Sequence, residues 1–358
     1  MDVFLISNMF PSQKDHLFGV FVKNFKIELE KQGVTFKKVA LIKGKSTSKI
    51  KKAFNYLFHY YTIINYFIFS RYDLIYVHYL THHIPVLTPL LFFKRKPLVI
   101  NAHGSDIIGI QKLPILNYFG KIILKKSDLI VVPTSYFKEN VISKYPFLNP
   151  DKLYVSPSGG VDKKKFFHKN SSLKNKELTL GFVSRFITEK GWQIFLDAII
   201  LLKKENIPFR ALIAGKGPDE KKILNYVEKF DLTEKIDFIG FIEQNKLVDI
   251  YNQLDLYIFP SYRESESLGL TGLEAMACRT PVIACNIAGP MTYIENNING
   301  FLIPPKSSEH LYKSIKKFYQ LSDSEKEKIR QNAIESSTPY LAENVSKKLK
   351  AKLENLIS

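Results

Sequence analysis

Short apolar runs of strand length alternate with stretches of helical period from one end of the 358-residue chain to the other. The runs predict strands at 3–7, 36–42, 73–78, 97–102, 128–132 and 153–156. A second series follows at 178–184, 209–214, 236–239, 255–259, 281–284 and 300–303. Apolar strands separated by amphipathic helices are the pattern of parallel sheets covered on both faces, so the expected class is α/β with doubly wound sheets. No short tandem repeat interrupts it. The length suits two cores of roughly 150 to 200 residues. The polar, lysine-rich stretch 161–176 reads as the linker between them. We therefore expect one domain over 1–165 and another over 166–341. The last segment, 342–357, places Val345, Leu349, Leu353 and Leu356 at helical spacing, a stripe that needs a surface to cover.

Composition narrows the setting. Hydrophobic residues make up 45% of the chain, enough for both cores. The two cysteines, Cys278 and Cys285, match neither a disulfide framework nor a cysteine metal site, which fits a reducing compartment and a cytoplasmic location. The start, Met1-Asp2-Val3-Phe4-Leu5-Ile6, has no basic leader and reads directly as a strand, so no secretory signal is expected. The net charge of +18 is unevenly spread: residues 1–170 hold 26 Lys and Arg against 10 Asp and Glu, and 171–358 hold 26 against 24. An electropositive first half suits an anionic membrane, an acidic glycan or nucleic acid, and drift toward lysine would leave the same trace. Nucleic-acid binding calls for clustered arginine, and here Lys far outnumbers Arg.

The richest stretch for chemistry runs from Pro260 to Ala277. Glu266 lies on a loop leaving a strand, and Glu274, after seven intervening residues, opens a helix of good helix formers. A helix N-terminus offers free N–H groups, and Gly269 and Gly272 let main chain approach a ligand. Paired carboxylates there suit hydroxyl recognition. Arg185 and Lys190, in Gly181-Phe182-Val183-Ser184-Arg185-Phe186-Ile187-Thr188-Glu189-Lys190-Gly191, follow another strand, where ligands of open parallel sheets bind. Two fixed cations can stabilise a departing diphosphate without a metal ion. His103 ends a strand in Asn101-Ala102-His103-Gly104-Ser105-Asp106. The other clustered histidines, His78, His82 and His83, lack zinc spacing.

Glu266, seven residues, Glu274 and then Ala275-Met276-Ala277 resembles the paired-glutamate signature of family-4 glycosyltransferases. The resemblance implies the GT-B architecture, two Rossmann-like domains facing a central cleft, with the final helix returning to the N-terminal domain. It implies a retaining transfer of a hexose-type sugar from a UDP- or GDP-sugar to a lipid-linked or growing cell-surface polysaccharide. In that family the glutamate matching Glu266 contacts the sugar and the one matching Glu274 the ribose. Ser267, Leu268, Gly269 and Leu270 lie between them in the donor loop. Arg185 and Lys190 match the residues that hold the diphosphate, and His103 the one near the reacting centre. Gly19, after the first strand, matches a glycine beside the donor phosphates, although relatives often have two there. Gly215, in Gly215-Lys216-Gly217-Pro218, matches a turn beside the base and reads equally as a tight turn. Ala288-Gly289-Pro290-Met291 replaces the family's Gly-Gly-Ile-Pro, which leaves the sugar open. No metal and no cofactor is expected, the nucleotide-sugar being a substrate.

Lys43, Lys45, Lys49, Lys51 and Lys52 precede Phe54, Leu57, Phe58, Tyr61, Ile64 and Ile68. This basic, aromatic helix is too short and polar to span a bilayer. It suits the interface of an anionic membrane, giving a peripheral location at the inner face, and packing on a Rossmann sheet is the other reading. A nucleotide-sugar epimerase of the same architecture and a non-catalytic partner protein remain the competing functions. Free epimerised donor without transfer marks the first, and the intact Arg185, Lys190, Glu266 and Glu274 speak against the second.

Overall fold

The computed structural model describes residues 1–358 except Leu17, Thr47, 170–176 and Ser358, and of Ser105, Ile108, Gln111 and Lys112 it describes the backbone alone. The end of the expected linker, 170–176, thus lies outside the described residues. The chain divides into two compact units. Unit 1 is Met1–Gly160 with Ala342–Ser358, and unit 2 is Val161–Leu341.

Unit 1 holds strands β1 (Asp2–Phe10), β2 (Thr35–Lys43), β3 (Leu74–His78), β4 (Leu98–Asn101), β5 (Leu129–Val132) and β6 (Leu153–Val155). Its helices are α1 (Val20–Lys31), α2 (Lys49–Phe69), α3 (Ile84–Leu90), α4 (Ser105–Ile108), α5 (Pro114–Lys126) and α6 (Ser135–Lys144). The strands pair in parallel in the order β2-β1-β3-β4-β5-β6. Alternate residues of a strand point to opposite faces, and both faces of this sheet are covered. Phe4 and Ile6 of β1 pack with Ile63 and Phe67 of α2 and Ile123 of α5. Val3 and Leu5 pack with Val22, Phe25 and Leu29 of α1. Burial of each such side chain contributes roughly 1.5 to 3 kcal/mol.

Unit 2 repeats the plan with β7 (Leu178–Arg185), β8 (Phe209–Lys216), β9 (Ile236–Gly240), β10 (Leu256–Phe259), β11 (Val282–Cys285) and β12 (Gly300–Ile303). Its helices are α7 (Trp192–Lys204), α8 (Glu220–Lys229), α9 (Leu247–Gln253), α10 (Leu270–Ala277), α11 (Ser308–Gln320) and α12 (Asp323–Ser337). The parallel order is β12-β11-β10-β7-β8-β9. Leu256 and Ile258 face one core with Phe182 and Phe195, and Tyr257 and Phe259 face the other with Leu273 and Met276. Each of the twelve expected strands overlaps one observed strand. The last helix, α13 (Ala342–Glu354), belongs to unit 1, where Leu349 and Leu353 join the Val22, Phe25 and Leu29 cluster.

Helix α2 departs from ordinary Rossmann packing. Its buried residues are His59, Ile63 and Phe67, a narrow stripe. Ile50, Phe54, Leu57, Phe58, Tyr61, Ile64, Ile68 and Phe69 are all exposed, with Phe58 at 72%. The 3-10 turn Leu91–Phe93 exposes Phe92 and Phe93, and α5 exposes Ile115 and Tyr118.

Candidate functional site

In unit 2 the chain runs outward from β7 through β8 to β9, then returns to place β10 on the other side of β7. Ligands of open parallel sheets bind beyond the C-terminal ends of the strands at such a reversal. Arg185 is the last residue of β7 and is exposed. Lys190 ends the 3-10 turn Thr188–Lys190, and Gly191 follows at φ +78°. A Cβ on Gly191 would lie 2.2 Å from the Pro260 carbonyl oxygen, so only glycine lets the loop after β7 press on the loop after β10. The Tyr262 N–H donates to the Glu189 carbonyl at 3.1 Å and clips the two loops together.

That contact brings Lys190 to Glu266. The Lys190 Nζ lies 2.5 Å from Glu266 Oε2, and each side chain is only 14% exposed. Ser261 Oγ donates to the same oxygen at 2.9 Å. The Phe259 ring lies 5.4 Å from the ammonium and adds a cation–π contact. The ammonium has three donors, and Glu266 takes one. Arg185 lies in register with Lys216, the last residue of β8, so a further cation stands at this sheet end.

Glu274 sits elsewhere in the same neighbourhood. Helix α10 begins at Leu270 behind Gly269, φ +73°, so Glu274 lies in the second turn rather than at the opening. It is buried, and its carboxylate accepts from Gln244 Nε2 at 3.2 Å and from the Tyr251 hydroxyl at 3.3 Å. Burial raises its pKa to about 7 despite these donors. Between the two glutamates, Leu268 and Gly269 are buried while Ser267 and Leu270 are partly exposed. The Gly289 N–H donates to the Glu266 carbonyl at 3.3 Å, so the Ala288–Met291 variant braces the donor loop.

Gly215 has φ +145°, and a Cβ there would meet the Ser184 carbonyl oxygen at 1.8 Å. The turn after β8 therefore lies against the end of β7. Asp219, which the sequence reading passed over, ties the same two loops. Its Oδ2 accepts from Thr188 Oγ1 at 2.8 Å and from Trp192 Nε1 at 3.2 Å, and its Oδ1 from Lys222 Nζ at 2.7 Å. The Lys222 ammonium, with Thr188, holds the carboxyl below the usual range. Asp219 and Lys216 both stand within or beside the quoted Gly-Lys-Gly-Pro turn, the one signal that could have found them.

In unit 1 the reversal lies between β1 and β3. Gly19 caps α1 at φ +71°, where a Cβ would lie 2.5 Å from the Met9 carbonyl carbon. His103 follows β4, and its N–H donates to Asp106 Oδ1 at 2.8 Å. The ring is stacked against Tyr79, centroids 5.0 Å apart, and its Nε2 lies 3.0 Å from His78 Nδ1. Burial lowers the His103 pKa to about 3, so the ring is neutral. A second pair lies below. His83 Nδ1 must donate to the Tyr79 carbonyl, 2.7 Å away, which leaves its Nε2 to accept from His59 Nε2 at 3.0 Å. The sequence singled out His78, His83 and His103 but neither His59 nor the pairing, and the described residues contain no group of three or more ligands suited to a metal ion.

Two family models meet along the chain. One, Glycosyltransferase Family 4, matches residues 12–163, and the other, Glycosyl transferases group 1, matches 163–336. The chain belongs to this glycosyltransferase family. Relatives include an N-acetyl-alpha-D-glucosaminyl L-malate synthase of Bacillus anthracis, 25% identical over 64% of this chain and 61% of that protein. A capsular polysaccharide biosynthesis glycosyltransferase of Staphylococcus aureus is 22% identical over 64% of this chain and 69% of its own length. The match spans 54% and 61% of the length of two curated relatives. Among solved structures, Anabaena HepE in complex with UDP has a TM-score of 0.79 at 18% identity, covering 99% of this chain and all of that one. Sucrose-phosphate synthase of Thermosynechococcus elongatus reaches 0.78 at 18%, covering 99% of both chains. At such identity the likeness speaks for the fold, and the two parallel sheets are the Rossmann-like halves of GT-B. Among the described residues no helix is long and apolar enough to cross a membrane.

Proposed function

We propose that the protein is a retaining glycosyltransferase that moves a hexose-type sugar from a UDP- or GDP-sugar to a lipid-linked or growing cell-surface saccharide. The observation that carries this reading is the Lys190–Glu266 pair at the reversal of the second sheet, with Arg185 at the end of β7, the strand that leads into the Lys190 turn. A leaving diphosphate gains negative charge as the glycosidic bond breaks, and cations already held in place stabilise that charge without reorganising. Lys190 keeps donors free for phosphate oxygens while Glu266 fixes its position and offers its other oxygen to a sugar hydroxyl. Arg185 supplies the second cation. Glu274, partly protonated near neutral pH, is assigned to the ribose hydroxyls, and Gly215, Gly269 and Gly19 to close main-chain approach. His103, neutral and oriented by His78, is assigned to the transferred sugar. In a retaining transfer the donor phosphate takes the acceptor's proton on the face that the leaving group departs from. This assignment needs no metal ion.

HepE was solved with UDP-glucose, which favours UDP-sugars as the first donors to try. A panel of UDP-, GDP- and ADP-sugars, screened by thermal shift, tests the donor class, since a ligand bound to the native state raises Tm. No shift with any of them sinks the reading.

The acceptor side is proposed from α2. Its exposed Phe54, Leu57, Phe58 and Tyr61 follow a lysine-rich first turn, a combination that suits the interface of an anionic membrane. The enzyme on this reading works at the inner face of the membrane as a peripheral protein. Phe54→Ser with Phe58→Ser removes exposed side chains only, so co-sedimentation with phosphatidylglycerol vesicles should fall at least fivefold while Tm holds. Unchanged co-sedimentation rules the interface out.

A further inference from the structure

The loop leaving β1 and the loop joining β2 to α2 enclose an open basin of about 1000 Å3 in unit 1. Lys14, Lys23, Lys43, Lys45 and Lys51 line it. The one carboxylate in its wall, Asp15, accepts from the Lys45 backbone N–H at 3.3 Å. None of the five ammonium groups makes an ion pair among the described residues. The walls are built rather than incidental. Gly44, φ +69°, lets the second loop touch the first, since a Cβ there would lie 2.5 Å from Ser12 Oγ, and its N–H donates to the Phe10 carbonyl at 2.9 Å. Ser12 and Asp15 close a turn on each other through paired main-chain bonds of 3.1 and 3.3 Å.

Five ammonium groups without an ion pair among the described residues line one concave surface, and its low-dielectric walls focus their field. The first turn of α2 carries lysines and no acid, the wrong sign for a helix N-terminus. A ligand with two or more negative charges answers this field and the helix N-terminus better than one with a single charge. Lys51 and Asn55 of α2 line the basin, and Phe54 and Phe58, exposed on the same helix, continue away from it as apolar surface.

We propose that this basin binds the diphosphate of a lipid-linked acceptor, with the lipid lying along the exposed side of α2. The proposal rests on the acceptor reading above and narrows it to a diphosphate-bearing lipid. The test uses the full chain and the variant Lys14→Gln/Lys43→Gln/Lys45→Gln, whose changed side chains are exposed and carry no ion pair. Farnesyl diphosphate in neutral phosphatidylcholine vesicles should recruit the wild type, and the variant at least tenfold less. Inorganic pyrophosphate, titrated with UDP saturating, should bind the wild type and bind the variant at least tenfold more weakly. The UDP thermal shift should be equal in both. Equal recruitment of the variant overturns the proposal, as does recruitment by phosphatidylglycerol vesicles that farnesyl diphosphate in neutral vesicles does not reproduce. Loss of the UDP shift in both proteins with pyrophosphate binding intact strikes at the donor reading alone and leaves the basin standing.

Discussion

Unit 1 carries 26 Lys and Arg against 11 Asp and Glu, whereas unit 2 carries 26 against 23, on sheets of the same size and sense. In unit 2 the charges are matched: Lys190 to Glu266, Lys222 to Asp219, Arg330 to Asp255 and Arg210 to Asp237. In unit 1 five lysines line a basin whose wall holds a single carboxylate, Asp15, and a helix face of large apolar side chains lies open. The buried polar groups differ too. Unit 2 buries the carboxylates Asp219 and Glu274, and unit 1 buries one carboxylate, Asp106, together with histidines in pairs. One architecture thus carries a site completed by its own side chains and a surface that awaits something anionic and apolar.

The sharpest way to break this contrast is to remove the cation from the completed site. Lys190→Ala should lower kcat by about 10² to 10³, the usual effect of deleting a donor that stabilises developing charge. It should also abolish the donor-induced rise in Tm. The triple change in the basin should leave that rise intact. Near-native turnover by Lys190→Ala would remove the basis for calling unit 2 the donor site.

Backbone crowding comes next in size. Gly215→Ala forces a Cβ to within 1.8 Å of the Ser184 carbonyl, whereas Gly240, φ +71°, has open space around the same atom. Urea unfolding should show a loss of about 3 kcal/mol or more for the first and about 1 kcal/mol for the second, the cost of left-handed backbone alone. Equal losses would mean that the turn after β8 does not need its contact with β7.

The two units should also part company with pH. In unit 1 burial depresses the folded-state pKa of His59 to about 4 and of His83 and His103 to about 3. Their unfolded value is near 6.5, so the unfolded chain takes up protons first as pH falls. Stability is full above about 6.5 and drains away toward 3, by roughly 2 kcal/mol for each of these histidines at pH 5. Glu274 in unit 2 works the other way. Burial raises its pKa from 4.5 to about 7, so its contribution is present below 4.5 and is lost as pH rises through 7. Asp106, raised to about 6 by burial, opposes the histidines within unit 1. Hydrogen exchange on the full chain, corrected for intrinsic rates, should show β3 and β4 losing protection between pH 6.5 and 5 before β7 and β10 do. Parallel loss in both sheets would contradict the assignment of neutral histidines.

How far the sequence reached follows from what each feature is made of. The strands were legible because a parallel strand buried on both faces is apolar without a break, as in Leu129-Ile130-Val131-Val132. The meeting of Lys190 with Glu266 was not, because the two lie 76 positions apart and only the β7–β10 reversal joins them. The apolar content of α2 was plain, but a stripe says only that something covers it. Which side chains stay uncovered depends on how narrow the sheet's edge is at β2. The histidine pairs could not be read from sequence because His78 meets His103 across the ends of β3 and β4, and His59 of α2 meets His83 of the 3-10 turn after β3. Asp219 hid as an ordinary acid before a helix.

The smallest effect separates charge from geometry at that acid. Thr188 and Trp192 both donate to Oδ2 of Asp219, and only Lys222, itself largely exposed, reaches Oδ1. Asp219→Ala therefore leaves two donors without a partner, one of them the buried Trp192 indole N–H, and should cost about 1 to 2 kcal/mol. It should also lower kcat severalfold, because the turn that carries Lys190 loses its anchor at Thr188. Asp219→Asn keeps an oxygen in the Oδ2 position and forfeits only the surface ion pair, worth at most about 1 kcal/mol. If the carboxylate acts as a fixed acceptor, asparagine restores both stability and kcat. If asparagine behaves like alanine, the negative charge itself is at work, and the account of unit 2 as a site whose loops are pinned by matched hydrogen bonds has to give way to one governed by field.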